Sequence, residues 1–169
     1  MKRVIKKVAV LGSGVMGSRI ACHFANIGVQ VLLLDIVPKE LTAQETAKGL
    51  TFENKVVRNR IVNEALNAAI ISNPSPLYDK KFRDRITTGN FDDDMSKIAD
   101  LDWVIEVVVE NLAVKKIVFE QVEKYRKAGT LITSNTSGIP IGLMTEGRSD
   151  DFKAHFCGSH FFNPPRYLK

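Results

Sequence analysis

Apolar positions along the chain fall into short runs separated by glycine, proline and charged residues, and two periods alternate. Residues 8–11 form a compact apolar run, followed by the turn Gly12-Ser13-Gly14-Val15-Met16-Gly17. Over residues 15–27, Val15, Ile20, Phe24 and Ile27 recur at helical spacing, and Gly28 supplies a C-cap. Residues 29–35 are a second, nearly continuous apolar run. A strand without polar alternation is buried on both faces, so this strand–helix–strand order predicts a parallel βαβ unit. Pro38 opens a long polar helical segment predicted over residues 39–71, which the prolines of SNPSPLYDKKF break. Strand-like pieces recur at 85–87, 102–108, 130–134 and 156–161. Between the 102–108 and 130–134 strands, LAVKKIVFEQVEKYRKAG is amphipathic, with Leu112, Ile117, Phe119 and Val122 near one face and Gly129 past its end. Alternating strands and helices predict an α/β, doubly wound, mostly parallel sheet of the Rossmann kind, in one domain spanning residues 1–169.

Composition narrows the class without changing this picture. With 44% hydrophobic and 25% charged residues in 169, the chain is an ordinary globular protein rather than a disordered or fibrous one. No run approaches the roughly 20 apolar residues of a membrane span. The basic start MKRVIKK leads directly into a strand with no apolar signal region, so the cytoplasm is the default compartment. Cys22 and Cys157 are expected as two reduced, buried thiols rather than a disulfide or ligand pair. A net charge of +5 favours acidic partners, but the cations are scattered, which points to an anionic small molecule rather than nucleic acid.

The glycine turn carries chemistry because of its setting. It lies between a strand and a helix, and the next strand ends on an acidic residue, Asp35. That arrangement suits a dinucleotide: Gly12 permits the turn, Gly14 lets backbone N–H groups approach a pyrophosphate, Gly17 lets helix and sheet pack closely, and the helix N-terminus adds partial positive charge. Asp35 can accept hydrogen bonds from a ribose and would repel a 2′-phosphate, which favours NAD over NADP. A purely structural turn is the alternative. Three later segments put polar groups at strand ends, where open α/β sheets bind ligands. Glu110, Asn111 and Lys115 follow one strand; Ser134, Asn135 and Ser137 follow the next; His160 and Asn163 end the last, where Pro164 and Pro165 are expected to stop it. Taken singly, Glu110 reads equally as a solvated charge, the serine cluster as a helix cap, and His160 as a partly buried structural histidine.

Taken together and in order, GSGVMG with Asp35, VVVENL, SNTSG and HFFNPPRYLK resemble the NAD-binding domain of L-3-hydroxyacyl-CoA dehydrogenases of fatty-acid β-oxidation, over essentially the whole chain. The spelling is closest to the long bacterial dehydrogenases in which this domain belongs to a multidomain, crotonase-containing polypeptide. The resemblance implies that His160 is the general base for the 3-hydroxyl, a task that suits a histidine at neutral pH. It implies that Ser137 hydrogen-bonds near the substrate oxygen and the nicotinamide, and that Gly12, Gly14, Val15, Met16, Gly17, Asp35, Glu110, Lys115, Ser137 and Asn163 line NAD. The segment after Asp35 resembles the part that meets CoA, and a basic chain suits an anionic 3-hydroxyacyl-CoA thioester.

Two departures stand out. The family usually has a small residue where this chain has Arg19, which either points to solvent or reaches toward the cofactor phosphates; helical spacing puts Ile20, not Arg19, on the core side and favours solvent. The family also continues past the position of Lys169 into a glutamate that orients the histidine and a helical domain that closes the site and dimerises. Without them the isolated chain is expected to be a monomer that binds NAD and turns over poorly, and the full-length protein a homo-oligomer. The rival functions are a β-hydroxyacid dehydrogenase acting on a free acid and a non-catalytic NAD-binding regulatory module. The first would leave HFFNPP without a role, and the second would not need His160, Ser137 and Asn163 together.

Overall fold

The computed structural model describes residues 3–167. Leu168 and Lys169, the end of the HFFNPPRYLK motif, lie outside the described residues, as do the first two residues of the basic start. Six parallel strands form one sheet in the order β3-β2-β1-β4-β5-β6: β1 (Lys7–Leu11), β2 (Gln30–Asp35), β3 (Ile86–Asn90), β4 (Trp103–Glu106), β5 (Leu131–Ser134) and β6 (Phe156–Gly158). This is the doubly wound topology that the strand–helix alternation predicts. The chain reverses its direction of travel across the sheet between β1 and β4, so the loops after those strands open into a crevice at their C-terminal ends.

The helices are α1 (Val15–Asn26), α2 (Ala43–Ala47), α3 (Lys55–Arg58), α4 (Arg60–Ile71), α5 (Phe91–Asp94), α6 (Leu112–Tyr125), α7 (Ile141–Thr145) and α8 (Asp150–Ala154). Alternation along β1 divides the core. Val8 and Val10 face α1 and α4 with Ile20, Phe24, Val62 and Leu66, whereas Ala9 and Leu11 face α6 and α8 with Phe119, Val122 and Phe152. Each such large side chain, once buried, contributes about 1.5–3 kcal/mol, so the sheet is anchored from both sides. Among the described residues no helix is long and apolar enough to cross a membrane.

The local signals around the glycine turn hold closely. α1 ends at Asn26, and Gly28 takes φ +88° there while its N–H returns to the Ala25 carbonyl. Gly12 sits at φ +104°, and a Cβ on it would lie 2.6 Å from the Val107 carbonyl oxygen; only glycine lets β1 leave the sheet at this point.

Three expectations change. The single helix predicted over 39–71 is three helices. Thr42 and Glu45 form a capping box that starts α2, Gly49 ends it at φ +67°, and the Asn54 side chain accepts the Thr51 N–H at 2.8 Å before α3 begins. The last strand stops at Gly158 rather than 161, ahead of both prolines, because the Asn135 side chain takes the Phe161 N–H at 2.7 Å and draws the chain off the ladder. Cys157 is exposed, not buried, since β6 is an edge strand; Cys22 is buried, and both thiols are free.

Candidate active site

The register brings the C-terminal residues of neighbouring strands level: Leu11 pairs with Leu34 and Glu106, and Glu106 with Ser134. Above them lies a cavity of about 770 Å3, lined by Gly12, Gly14, Val15, Met16, Asp35 and Glu110 together with Val108, Asn135 and Ser137. That size falls within the ~300–1,000 Å3 usual for small-molecule sites. Gly14 is the N-cap of α1 and offers no side-chain cap, so the N–H groups of the first turn remain available to an anion. A Cβ added to Gly14 would meet nothing within 4 Å, whereas one on Gly17 would lie 1.8 Å from the Gly12 carbonyl oxygen. Gly14 therefore leaves ligand space open. Gly17 instead lets α1 sit against β1, and it is not part of the cavity wall.

Asp35 ends β2 and is tied to the loop it faces. Its Oδ2 accepts the Ser13 N–H at 2.6 Å and the Ser13 hydroxyl, and its Oδ1 accepts the Ile36 N–H at 2.7 Å. A carboxylate offers about four acceptor positions, so Oδ1 keeps capacity for a ribose hydroxyl.

Glu110 organises the next loop. Its Oε1 accepts from the Thr136 hydroxyl and from the Ser137 and Gly138 N–H groups, both at 3.1 Å, while its Oε2 lies 3.2 Å from Lys115. Partial burial works against ionisation, but the hydrogen bonds from Thr136, Gly138, Lys115 and Ser137 outweigh it and hold the carboxyl at about 2. Glu110 is thus a fixed anion rather than a loosely solvated charge. Asn111 beside it caps α6, accepting the Val114 N–H at 3.2 Å.

A second, shallower cleft of about 350 Å3 is lined by Thr136, Ser137, Pro140, Ile141, Ser159 and His160. Within it Ser137 Oγ stands 3.0 Å from His160 Nε2, and Phe162 meets the histidine ring edge-on at 4.8 Å between centroids. Ser137 lines both spaces, so the larger cavity and the histidine cleft meet at its hydroxyl.

Three candidates lie elsewhere. Lys115, which the resemblance places against NAD, has a side chain with no exposure; its ammonium lies under the loops, held by Glu106 and Glu110. Asn163 is exposed, precedes Pro164 and lines neither space. Arg19 is half-buried and lines a cleft of about 260 Å3 beside the glycine turn, with Gly14, Val15 and Ser18 on one side and Ala65, Ala69 and Ser72 on the other, while Ile20 is buried as its spacing predicts. One residue of the site escapes sequence reasoning altogether. Glu106 is fully buried, and its only signal is an acidic residue inside the apolar run DWVIEVVVE.

The model of the 3-hydroxyacyl-CoA dehydrogenase NAD-binding domain matches residues 7–169. The chain belongs to this family. NAD is accordingly its cofactor, and the open Gly14, the uncapped α1 N-terminus and the acidic end of β2 fit that dinucleotide. A Bacillus subtilis relative named "Probable 3-hydroxyacyl-CoA dehydrogenase" is 57% identical over the whole chain, which spans 21% of that relative. A Rickettsia felis relative, described as a "fatty acid oxidation complex trifunctional enzyme", is 39% identical over the whole chain and 22% of its own length. The chain thus spans about a fifth of the length of these two relatives. Among solved structures, the Escherichia coli 3-hydroxybutyryl-CoA dehydrogenase superposes with a TM-score of 0.65 at 30% identity, covering 96% of this chain and 30% of that one.

Proposed function

We propose that the chain is the NAD-binding part of a site that oxidises L-3-hydroxyacyl-CoA to 3-oxoacyl-CoA in fatty-acid β-oxidation, within a longer cytoplasmic polypeptide. The observation that carries this is the hydroxyl of Ser137 at the junction of the dinucleotide cavity and the His160 cleft. A secondary alcohol seated there has a proton acceptor on one side and the cofactor's space on the other. The names of the two relatives support the substrate class and the pathway.

In this function the chemistry NAD would supply, when held by the glycine turn and Asp35, is that of an acceptor for the hydride from C3. His160 Nε2 takes the proton of the 3-hydroxyl, so the bond pair left on oxygen closes the carbonyl. Ser137 Oγ, 3.0 Å from that nitrogen, hydrogen-bonds the same substrate oxygen and holds it in line. Gly12, Gly14 and the N–H groups of Val15 and Met16 cradle the pyrophosphate. Asp35 receives the adenosine ribose, and its negative charge selects against a 2′-phosphate. Glu110 keeps the 136–138 loop in place on the side of the cavity that would take the nicotinamide.

The test is steady-state oxidation of L-3-hydroxybutyryl-CoA and longer homologues by the whole natural polypeptide, followed by NADH formation. Replacing His160 with Gln is expected to lower kcat by about 100- to 10,000-fold while leaving the NAD dissociation constant unchanged. A wild-type protein that binds NAD yet oxidises none of these thioesters would sink the proposal.

A further inference from the structure

Arg19 stands apart from the other arginines of the chain. Every other half-buried arginine donates to a carboxylate or carbonyl oxygen, as Arg58 does to Asp93, Arg126 to Asp151 and Arg83 to the Ile86 carbonyl. Among the described residues Arg19 has no hydrogen-bond acceptor and no ion-pair partner. A guanidinium carries five N–H donors and keeps its charge at any ordinary pH, so withdrawing it from water without an acceptor is unfavourable unless an anion comes to it.

The cleft of about 260 Å3 that Arg19 lines offers it nothing of the protein's own. Its α4 wall is made of methyl groups, since Ala65, Ala68 and Ala69 recur three and four positions apart and share one helix face. Its serines are engaged. Ser18 Oγ donates to the Ser13 carbonyl at 2.6 Å, Ser13 Oγ donates to Asp35, and Ser72 Oγ donates to the Ala69 carbonyl at 2.7 Å. Among the described residues Arg19 is therefore the one side chain of this wall with protons still to donate.

The remaining wall says where they go. Gly14 and Val15 line both this cleft and the larger dinucleotide cavity, so the two spaces meet at the first turn of α1. Arg19 lies four residues after Val15 on the same face of that helix, and helical side chains lean toward the N-terminus. One turn rises about 5.4 Å, a distance that an extended arginine spans with its stem along the alanines and its head at the glycine turn. Gly14 leaves that position open, because a Cβ there would meet nothing within 4 Å. The planar fork of a guanidinium matches two oxygens of a phosphate.

We propose that Arg19 binds the pyrophosphate of NAD, closing the Gly14–Val15 cradle on its α4 side. The inference rests on the glycine turn being that cradle, and it adds a side-chain cation to a site otherwise built from backbone N–H groups.

The experiment uses the whole natural polypeptide and measures dissociation constants for NAD, ADP and adenosine, the last two by displacement of fluorescent NADH. Arg19→Gln is expected to weaken NAD and ADP about 10-fold and to leave adenosine unchanged, the scale of one charge-assisted hydrogen-bonded contact. Arg19→Lys keeps the charge without the fork, and a loss of about threefold is expected. Raising salt from about 0.1 M to about 1 M shortens the screening length from ~10 to ~3 Å and should narrow the gap between wild type and Arg19→Gln. If Arg19→Gln fails to fold, Arg19→Lys decides by the same titrations.

NAD and ADP constants that match wild type in the folded variants overturn the proposal, as does an equal loss for adenosine, which would place the contact away from the phosphates. So does an unchanged NAD constant with a raised KM for L-3-hydroxybutyryl-CoA but not for its pantetheine thioester, since Arg19 would then serve the diphosphate of the substrate. Gly14→Ala separates the two levels of failure. If it weakens NAD while Arg19→Gln does not, the cradle stands and only the role of Arg19 falls; if neither does, the cradle falls with it.

Discussion

Ser137 Oγ and His160 Nε2 lie 3.0 Å apart although they belong to loops after different strands, 23 residues away from each other in the chain. The pair is held from one side by Glu110 through the 136–138 loop and from the other by the Asn135 side chain, which accepts the Phe161 N–H beside the histidine. Replacing Ser137 with Ala removes the hydroxyl but leaves the Glu110 bonds to the backbone. The expected outcome is a kcat lower by about 10- to 100-fold with NAD affinity retained, measured by steady-state kinetics and NAD titration.

Gly14 and Gly17 are expected to separate binding from folding. Gly14→Ala should unfold at the same urea midpoint as wild type, because its Cβ meets nothing within 4 Å, yet bind NAD about 10- to 100-fold more weakly as the methyl occupies the pyrophosphate's place. Gly17→Ala puts a Cβ 1.8 Å from the Gly12 carbonyl oxygen and has to push α1 off β1. A loss of about 1–3 kcal/mol in unfolding free energy is expected.

The buried pair predicts a non-additive result. Lys115→Met alone strands the Glu106 carboxylate in a site with no exposure and should cost about 3–5 kcal/mol of stability in urea unfolding. Adding Glu106→Gln should restore most of that loss, because the stranded charge is then gone.

Glu110 links stability to acid. Its carboxyl is held at about 2 against an ordinary 4.5. A depressed carboxyl stabilises the fold fully above the ordinary value and loses that contribution as pH falls from there toward 2. Unfolding free energies measured between pH 7 and pH 3 should decline less steeply in Glu110→Gln than in wild type.

The thiols should differ sharply in reactivity. Burial pushes Cys22 up to about 12, against the opposing fields of Arg83 and Arg19, so it stays protonated and shielded at pH 8. Cys157 is exposed on the edge strand. Mass spectrometry after iodoacetamide treatment should find Cys157 alkylated in the native protein and Cys22 only after denaturation.

Local sequence determined a large part of this protein. The apolar run of residues 8–11, the glycine turn, the helix that follows and the acidic end of the next strand each depend on neighbours within a few positions. They carry the βαβ unit and its dinucleotide cavity from the sequence alone. Backbone hydrogen bonding and glycine's access to positive φ are short-range effects, so their signals survive in a linear reading.

Only the tertiary structure decided where the later charges went. Lys115 has the spacing of a surface lysine one turn into a helix, and nothing nearby in sequence shows that α6 turns it inward onto Glu106, nine positions away. The split of the segment after Asp35 depends on the Thr42–Glu45 box and the turn at Gly49, and the early end of β6 on an asparagine side chain from the neighbouring loop. Long-range electrostatics and hydrogen bonding have no fixed period along the chain. They are specified only when the sheet brings the ends of β4, β5 and β6 together, and so the position of the Ser137–His160 pair belongs to the fold and not to any single motif.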